Sequence, residues 1–191
     1  MTYGNDLVVL DASHTADGRR IHISWMGMPD CEEYTNPTIK DGWQHCFTFP
    51  REVFIKDGKV CQKPVRELDA KKQQLQDVQN ELTQSGCPVY EVNVDGIKEN
   101  HFQAVLSDEL ILDYENGRFQ MHFTTQSKTS VSAGRSLRYA EVGTLKNVKI
   151  LADTSSVEVF VNDGEFVFST RYYPNDYKIV VHSPSAHITF G

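Results

Sequence analysis

Carboxylate side chains that lie close together are the first candidates for chemistry, because two carboxylates can supply a nucleophile and a proton donor. Four places stand out: Asp30-Cys31-Glu32-Glu33, Asp108-Glu109, Glu158 and Asp163-Gly164-Glu165. The first group is typical of a solvated loop. The second and fourth are typical of turns and strand ends, and Glu158 is expected at the surface or in a salt bridge. None of these places predicts a catalytic pair.

Histidines and cysteines could bind a metal, but their spacing does not favour a site. His14 and His22 are the one histidine pair near promising strands, and strand spacing alone does not bring them together. The cysteines form no C-x-x-C pair, which argues against a zinc or thioredoxin-like motif. They are Cys31, Cys46, Cys61 and Cys87. We expect reduced, mostly buried thiols, and neither a metal nor another cofactor is expected.

Composition and charge exclude several classes of partner. Hydrophobic residues make up 39% and charged residues 24% of the 191 residues, which are ordinary values for a globular protein. The formal charge is −7 and no basic stripe is present, so a nucleic-acid partner is not expected. No apolar run approaches the roughly 20 residues that a membrane helix needs. The first residues do not resemble a signal peptide, so we expect a cytoplasmic protein.

The elements that would carry these side chains are short strands joined by glycine turns. Asp-Gly or Asn-Gly dipeptides between β-rich segments are the strongest local signal for a hairpin. They begin at Asp17, Asp57, Asn116 and Asp163. Apolar and polar residues alternate over Arg20–Trp25, so Ile21, Ile23 and Trp25 should share one face. With further strands over 47–55 and 59–62, residues 5–63 predict an antiparallel sheet of about four strands.

Residues 66–85 interrupt the strand pattern. This segment is rich in Gln and charge and lacks Gly and Pro, and its apolar residues fall near one helical stripe. They are Leu68, Leu75, Val78 and Leu82. Gly86 and Pro88 end the segment. The pattern predicts a linker helix laid on a sheet; a partner-binding coiled coil is the alternative, although the stripe spans under three heptads.

The remainder of the chain predicts a β-sandwich, because short strands alternate with turns at regular spacing. In Ser156–Val161 the valines alternate, which places Glu158 on the face opposite to them. The predicted strands cover residues 89–95, 101–106, 109–114, 118–125, 135–142, 145–152, 156–162, 165–171, 177–182 and 186–190. The fold class is therefore all-β.

Three stretches, in order, resemble glycoside hydrolase family 32, which comprises invertases, levanases and sucrose-6-phosphate hydrolases. The first is GRRI at residues 18–21 followed by WMG at 25–27. The second runs over residues 42–68, where GW is followed by TFPRE and then by PVREL. The third is DTSSVEVFVNDGEFVFSTRYYP at residues 153–174. Together the three stretches span nearly the whole chain, which makes the resemblance specific.

The resemblance implies a five-bladed β-propeller joined to a β-sandwich. Residues 1–65 would form the last blade, residues 66–86 the linker helix and residues 87–191 the sandwich. The family cleaves fructosides with retention, using two carboxylates about 5–5.5 Å apart. Its nucleophilic Asp, stabilising Asp and acid/base Glu lie in Asn-Asp-Pro-Asn-Gly, Arg-Asp-Pro and Glu-Cys motifs. This sequence has no Asp-Pro, Arg-Asp or Glu-Cys dipeptide, so the chain is expected to be the catalytically silent C-terminal part of such a hydrolase.

By the same resemblance, the best candidates for the surroundings of the sugar site are Asp6, Trp25 and Trp43. For Trp25 a core aromatic is the alternative, and the residue type favours that alternative. Two pairs of residues depart from the family pattern. Leu7 and Val8 replace an aromatic pair that shapes the sugar pocket, and Thr124-Thr125 replaces an Asp-Arg pair of the sandwich.

Two alternatives to an enzyme fragment remain open. The first is a carbohydrate-binding module in which Tyr172 and Tyr173 form a stacking patch, although they could instead be interface residues. The second is a self-associating module, because a lone blade would expose apolar faces and an open edge strand. The expected partners are therefore an upstream propeller fragment, a second copy of the chain, or a sugar.

Overall fold

The computed structural model describes residues 2–4, 7–27, 36–71, 73, 76–98, 101–124 and 136–191. The regular structure of these residues is all β apart from two short 3-10 helices, at Pro37–Asp41 and Arg66–Lys71. The strands in the described ranges, in chain order, are β1 (Thr2–Gly4), β2 (Leu7–His14), β3 (Arg20–Met26), β4 (Cys46–Phe47), β5 (Arg51–Lys56), β6 (Lys59–Pro64), β7 (Gln76–Ser85), β8 (Tyr90–Asp95), β9 (Phe102–Leu106), β10 (Leu110–Glu115), β11 (Arg118–Phe123), β12 (Leu137–Glu141), β13 (Asn147–Asp153), β14 (Ser156–Val161), β15 (Phe166–Arg171) and β16 (Lys178–Phe190). The prediction of an all-β fold is confirmed.

The glycine dipeptides form the predicted hairpins between β2 and β3, β5 and β6, β10 and β11, and β14 and β15. The β5–β6 turn shows why these residues are needed. Asp57 and Gly58 both have positive φ, at 51° and 75°. A two-residue turn of this kind matches the twist of the flanking strands, so the dipeptide fixes the register of the hairpin.

The first part of the chain forms a five-stranded antiparallel sheet, here called the small sheet. Its order is β2-β3-β5-β6, and the two-residue strand β4 pairs with β3. About four strands were predicted over residues 5–63, and the strand predicted at 47–55 is divided between β4 and β5. Trp25 of β3 lies directly opposite Phe47 of β4, so these two residues share one face of the sheet.

The second part forms an eleven-stranded sheet, here called the large sheet. Its order is β1-β15-β14-β13-β8-β16-β9-β10-β11-β12, with β7 also paired to β16. The sheet folds back on itself because β16 serves both halves. Its first half, residues 179–182, pairs with β9, and its second half, residues 187–190, pairs with β8. Two separate strands were predicted at 177–182 and 186–190, and they are one strand with a register shift.

The core lies inside the folded large sheet and is apolar throughout. The ring of Phe119 on β11 stacks on Phe102 of β9, with centroids 5.8 Å apart, and tilts against Phe168 of β15 at 5.2 Å. Since β15 and β11 belong to opposite halves of the sheet, these rings join the two halves. Three buried aromatic rings of this kind contribute several kcal/mol of hydrophobic stabilisation, at roughly 1.5–3 kcal/mol for each fully buried side chain.

The linker helix predicted over residues 66–86 is wrong. Residues 66–71 form a 3-10 helix, and residues 76–85 form β7, which pairs antiparallel with β16. The spacing of Val78 and Leu82 misled the prediction, because positions four apart share a face in a strand as well as in a helix. Leu75 lies outside the described residues.

A bulge marks the bend in this strand pair. Asn80 has φ 69° and Ser185 has φ 63°, and the Asn80 Oδ1 accepts a hydrogen bond of 2.7 Å from the Ser185 amide. Pairing with β16 also places residues 76–85, predicted as part of the linker, in the large sheet. The same is true of β1, which pairs in parallel with β15 although it precedes the small sheet. None of the helices in the described ranges is long and apolar enough to cross a membrane.

Candidate functional site

The small sheet packs on the outer face of β13, β14 and β15, a contact region that we call the sheet junction. Its apolar part consists of Phe49 against Leu151, Phe160 and Val167 of the large sheet. All the residues of β14 are buried, because the valines face the core and the alternate residues face the junction. Glu158 is one of these alternate residues. It therefore lies on the predicted face of β14, and the small sheet covers that face.

Arg51 and Glu158 form a fully buried ion pair in the junction. The Arg51 Nε donates to Glu158 Oε2 at 2.8 Å, and its Nη2 donates to the Ser169 hydroxyl at 2.7 Å. The other Glu158 oxygen accepts a hydrogen bond of 2.6 Å from the Phe49 amide. A buried pair of charges needs such additional partners to offset its desolvation.

This arrangement assigns Glu158 a structural position rather than a catalytic one. Burial raises the pKa of Glu158, and the Arg51 guanidinium and the Phe49 amide oppose that rise. Its side chain has no exposed surface, so no substrate can reach the carboxylate. Of the two sequence interpretations, surface or salt-bridged, the second is confirmed.

Gly164 permits the closest approach between the two sheets. The Gln62 amide of β6 donates to the Gly164 carbonyl at 3.0 Å. A Cβ atom at position 164 would lie 1.6 Å from the Gln62 carbonyl oxygen, and φ is +82°. Only glycine fits such a position.

Surface ion pairs surround this contact. Lys56 Nζ lies 2.6 Å from Asp163 Oδ2, and Lys59 pairs with Glu165. Lys56 lowers the pKa of Asp163 by its hydrogen bond. The acidic group at 163–165 is therefore a turn, as predicted, and its carboxylates face lysines of the small sheet.

Two motif residues from different stretches meet on the small sheet. Arg19 donates through both terminal nitrogens to Glu67, at 3.0 and 2.6 Å. This bidentate contact lowers the pKa of Glu67 to about 2. The contact ties the β2–β3 hairpin to the 3-10 helix at 66–71.

Trp25 is half-buried on β3 and is held from two sides. Its ring and that of His45 meet edge to face, with centroids 4.8 Å apart and planes at 75°. Its six-membered ring lies over Gly27, where a Cβ would come within 2.1 Å. The Trp-Met-Gly motif therefore has a local physical reason, because the glycine leaves room for the indole of the residue two positions earlier.

Trp43 is 41% exposed and follows the 3-10 helix at 37–41. The guanidinium of Arg171, from the end of β15, lies 5.5 Å from the centre of its ring. Trp25 contacts His45, which follows Trp43 by two positions in the chain. Asp6, the third predicted site residue, lies outside the described residues, as does the acidic group at 30–33.

His22, Cys46 and Cys61, which were candidates for metal binding, have local surroundings of their own. The His22 Nε2 lies 2.5 Å from the Ser24 hydroxyl, and burial, followed by the charge of Arg51, lowers its pKa. Within the described ranges no three metal-binding side chains converge. Cys61 is buried and Cys46 is half-buried, and burial raises the pKa of both thiols.

Tyr172 and Tyr173 are buried, at 3% and 8% exposure, so they form no stacking patch on the surface. Tyr173 is an interface residue, because its hydroxyl donates to Asn36 at 3.3 Å, from the large sheet to the segment before Trp43. Sequence reasoning missed Arg51 and Arg171 as the residues that join the sheets. Their only local signal is a charge beside strands whose apolar composition predicts burial.

Comparison with known families shows to which family the chain belongs. The profile described as "Glycosyl hydrolases family 32 N-terminal domain" matches residues 1–64, and that described as "Glycosyl hydrolases family 32 C terminal" matches residues 102–190. The chain belongs to glycosyl hydrolase family 32. The small sheet falls within the first match and the strands from β9 onward fall within the second.

Full-length relatives in family 32 are much longer than this chain. A raffinose invertase from Escherichia coli is 32% identical over 91% of the chain, which covers 38% of that protein. A sucrose-6-phosphate hydrolase from Salmonella typhimurium is 33% identical over 84% of the chain and 33% of that protein. The structure of a sucrose-6-phosphate hydrolase from Lactobacillus gasseri shares the fold, with a TM-score of 0.75, 22% identity, and coverage of 98% of this chain and 41% of that one.

Proposed function

We propose that the chain is the C-terminal part of a β-fructofuranosidase-type hydrolase and does not cleave sugars by itself. The whole hydrolase would cleave the fructoside bond of sucrose, sucrose 6-phosphate or short fructans with two carboxylates and retention of configuration. One observation carries this proposal. The chain matches both family profiles in order, yet contains none of the Asp-Pro, Arg-Asp and Glu-Cys pairs of the catalytic motifs.

The small sheet would be the last blade of the propeller and the large sheet would be the sandwich. Ile21, Ile23 and Trp25 alternate along β3 and share a face with Phe47, which is 61% exposed. An apolar sheet face of this kind favours a covering partner. The partner would be the remaining N-terminal-domain polypeptide, with a second copy of this chain as the alternative, and the complex would act in the cytoplasm.

Trp25, Trp43 and Asp6 would lie beside the fructose-binding site. Trp25 and Trp43 supply ring faces on which the C–H groups of a sugar can stack. The described carboxylates nearest the junction, Glu158 and Asp163, are ion-paired, which supports the view that the nucleophile and the acid come from elsewhere in the whole hydrolase.

The test is co-expression with the polypeptide encoded immediately upstream. Hydrolysis of sucrose, sucrose 6-phosphate and inulin is then measured for the complex and for each polypeptide alone. The proposal predicts activity only in the complex. A soluble, stable complex that cleaves none of the three substrates would reject the split-enzyme function.

A second candidate function is a carbohydrate-binding module, which a cavity at the sheet junction favours. The cavity has a volume of about 310 Å³ and opens between β6 and β13. Aromatic rings and side-chain amides line it, a combination suited to a polar ligand with apolar faces; they include Phe54, Phe160, Asn93 and Asn147. Calorimetry with sucrose, inulin and levan tests this candidate, and flat titrations at millimolar sugar would remove it.

A further inference from the structure

Arg171 lies at the end of β15, on the side of the large sheet that faces residues 36–45, and is 2% exposed. Its Nε donates to the Ser155 carbonyl at 3.0 Å, and its Nη1 donates to the Gln44 carbonyl at 2.9 Å. Its Nη2 donates to the Tyr173 hydroxyl and, at 3.3 Å, to the Ser155 hydroxyl. All three guanidinium nitrogens are therefore engaged.

These acceptors are neutral, which is unusual for a buried cation. No ion pair joins Arg171 to a carboxylate within the described residues. Aromatic rings take that place instead, because the guanidinium carbon lies 5.0 Å from the centre of Tyr173 and 5.5 Å from that of Trp43.

Arg171 holds both ends of the segment 36–44, directly at Gln44 and through Tyr173 at Asn36. The Gln44 carbonyl accepts from Arg171, and Asn36 accepts from Tyr173, which itself accepts from Arg171. Between these ends lies the 3-10 helix, which Gly42 closes with φ 87°. The segment is therefore clamped to the large sheet at its beginning and at its end.

One further contact connects the segment 36–44 to Trp25. His45 follows Gln44 directly, and its ring meets that of Trp25 edge to face with centroids 4.8 Å apart. Trp25 also lies over Gly27, which leaves the indole no room to move in that direction. The position of His45 therefore limits the conformations that are open to Trp25.

We infer that Arg171 is a positioning residue. From the large sheet it fixes residues 43–45 and, through His45, the indole of Trp25. A role of Trp25 and Trp43 in sugar binding rests on the proposed function, whereas the link from Arg171 to Trp25 does not. Arginine is required, since its planar fork serves four acceptors and stacks on two rings at once, which the ammonium of lysine does not do.

The two tryptophans of the chain give a direct readout, because each contributes one indole N–H signal to an amide NMR spectrum. W25F and W43F assign the signals. The expected result is that R171M and R171K each shift both indole signals in the folded protein. H45A, at an exposed side chain, shifts the Trp25 signal and leaves the Trp43 signal in place.

R118M is the matched control, since Arg118 also lies over an aromatic ring, 4.6 Å from Tyr139, but at a distant exposed position. It should leave both indole signals unchanged. A role in stability alone would lower the melting temperature of the Arg171 variants without moving the Trp25 signal, and that result would overturn the inference. If R171M does not fold, R171K and H45A decide, and an unmoved Trp25 signal in both rejects the link.

Failure of the proposed function gives a different pattern. A shifted Trp25 signal in R171K, together with an inactive co-complex, would leave the link in place and remove its role in fructoside binding. Conversely, an active co-complex with an unmoved Trp25 signal would reject the positioning role alone.

Discussion

Arg51 of the small sheet and Glu158 of the large sheet form an ion pair in which neither side chain has exposed surface. They are separated by 107 positions in the chain. The pair lies beside the apolar contact of Phe49 with Phe160. Charge and packing coincide at this part of the sheet junction, and the stability of the small sheet should depend on it.

Replacing Arg51 with methionine should destabilise the protein by about 3–5 kcal/mol, because Glu158 would remain buried without its counter-charge. Chemical denaturation, followed by far-UV circular dichroism, measures this loss. The double variant R51M/E158Q should be more stable than R51M, because the neutral amide still accepts from the Phe49 amide. K56M, which removes an exposed pair, should leave the midpoint close to that of the unmodified protein. Equal losses in R51M and K56M would contradict this account.

Gly164→Ala should separate the two sheets locally. Two effects combine there, the positive φ and the predicted clash of Cβ with the Gln62 carbonyl. Gly58→Ala isolates the first effect, since φ is +75° and nothing lies within 4 Å of its Cβ. We expect about 1–2 kcal/mol of destabilisation in G58A and about 1–3 kcal/mol more in G164A. Thermal or urea unfolding measures both, and equal losses would show that the close approach is absent.

The stability of the large sheet should depend on pH through His122. The Asp113 carboxylate, 2.9 Å away, raises the pKa of His122 above its ordinary 6.5, and His122 lowers that of Asp113. Gln120 also donates to Asp113, and Leu137 lies opposite His122 on β12. A raised histidine pKa adds stability that is fully present below pH 6.5 and is lost as the pH rises through the folded value.

Proton NMR of the His122 ring should therefore give a pKa above 6.5. Unfolding midpoints should fall as the pH rises past that value, and H122Q should flatten this part of the pH profile. D113N is the matched variant, because it should return the pKa of His122 towards 6.5. A His122 pKa at or below 6.5 in the unmodified chain would remove the prediction.

Gly27→Ala should displace the Trp25 indole, because the new methyl group would overlap the six-membered ring. The emission maximum of Trp25, measured in a W43F background, should shift to longer wavelength as the ring moves towards solvent. In a W25A background the same substitution should have little effect on stability. If G27A destabilises both backgrounds equally, the glycine is needed for another reason.

Strands and hairpins could be predicted from the sequence because their causes are local. Asp57-Gly58 and Asn116-Gly117 encode tight turns in their own backbone preferences, and the alternation over residues 20–25 predicts the shared face of Trp25. The segment 76–85 could not be assigned in this way. Its partner β16 lies about a hundred residues away, and the spacing of Val78 and Leu82 fits a helix and a strand equally well.

In the candidate site, too, features with local causes could be predicted and long-range contacts could not. Trp25 and Trp43 could be nominated from motifs, and Glu158 could be placed on the correct face of its strand. The partners of Glu158 and Trp43 could not be predicted, since Arg51 and Arg171 reach them across the junction of two sheets. Such pairings depend on tertiary packing, which no local pattern encodes.

The most direct test of the central claim is a hydrolysis assay of the purified 191-residue chain. Release of fructose from sucrose, sucrose 6-phosphate and inulin would be followed, with the sucrose-6-phosphate hydrolase of Salmonella typhimurium as the positive control on sucrose 6-phosphate. We expect folded chain, with both indole signals dispersed, and no fructose release above the buffer blank. Fructose release that co-purifies with the chain and is unchanged in E158Q would show that other carboxylates of this chain suffice for catalysis, and would contradict the account.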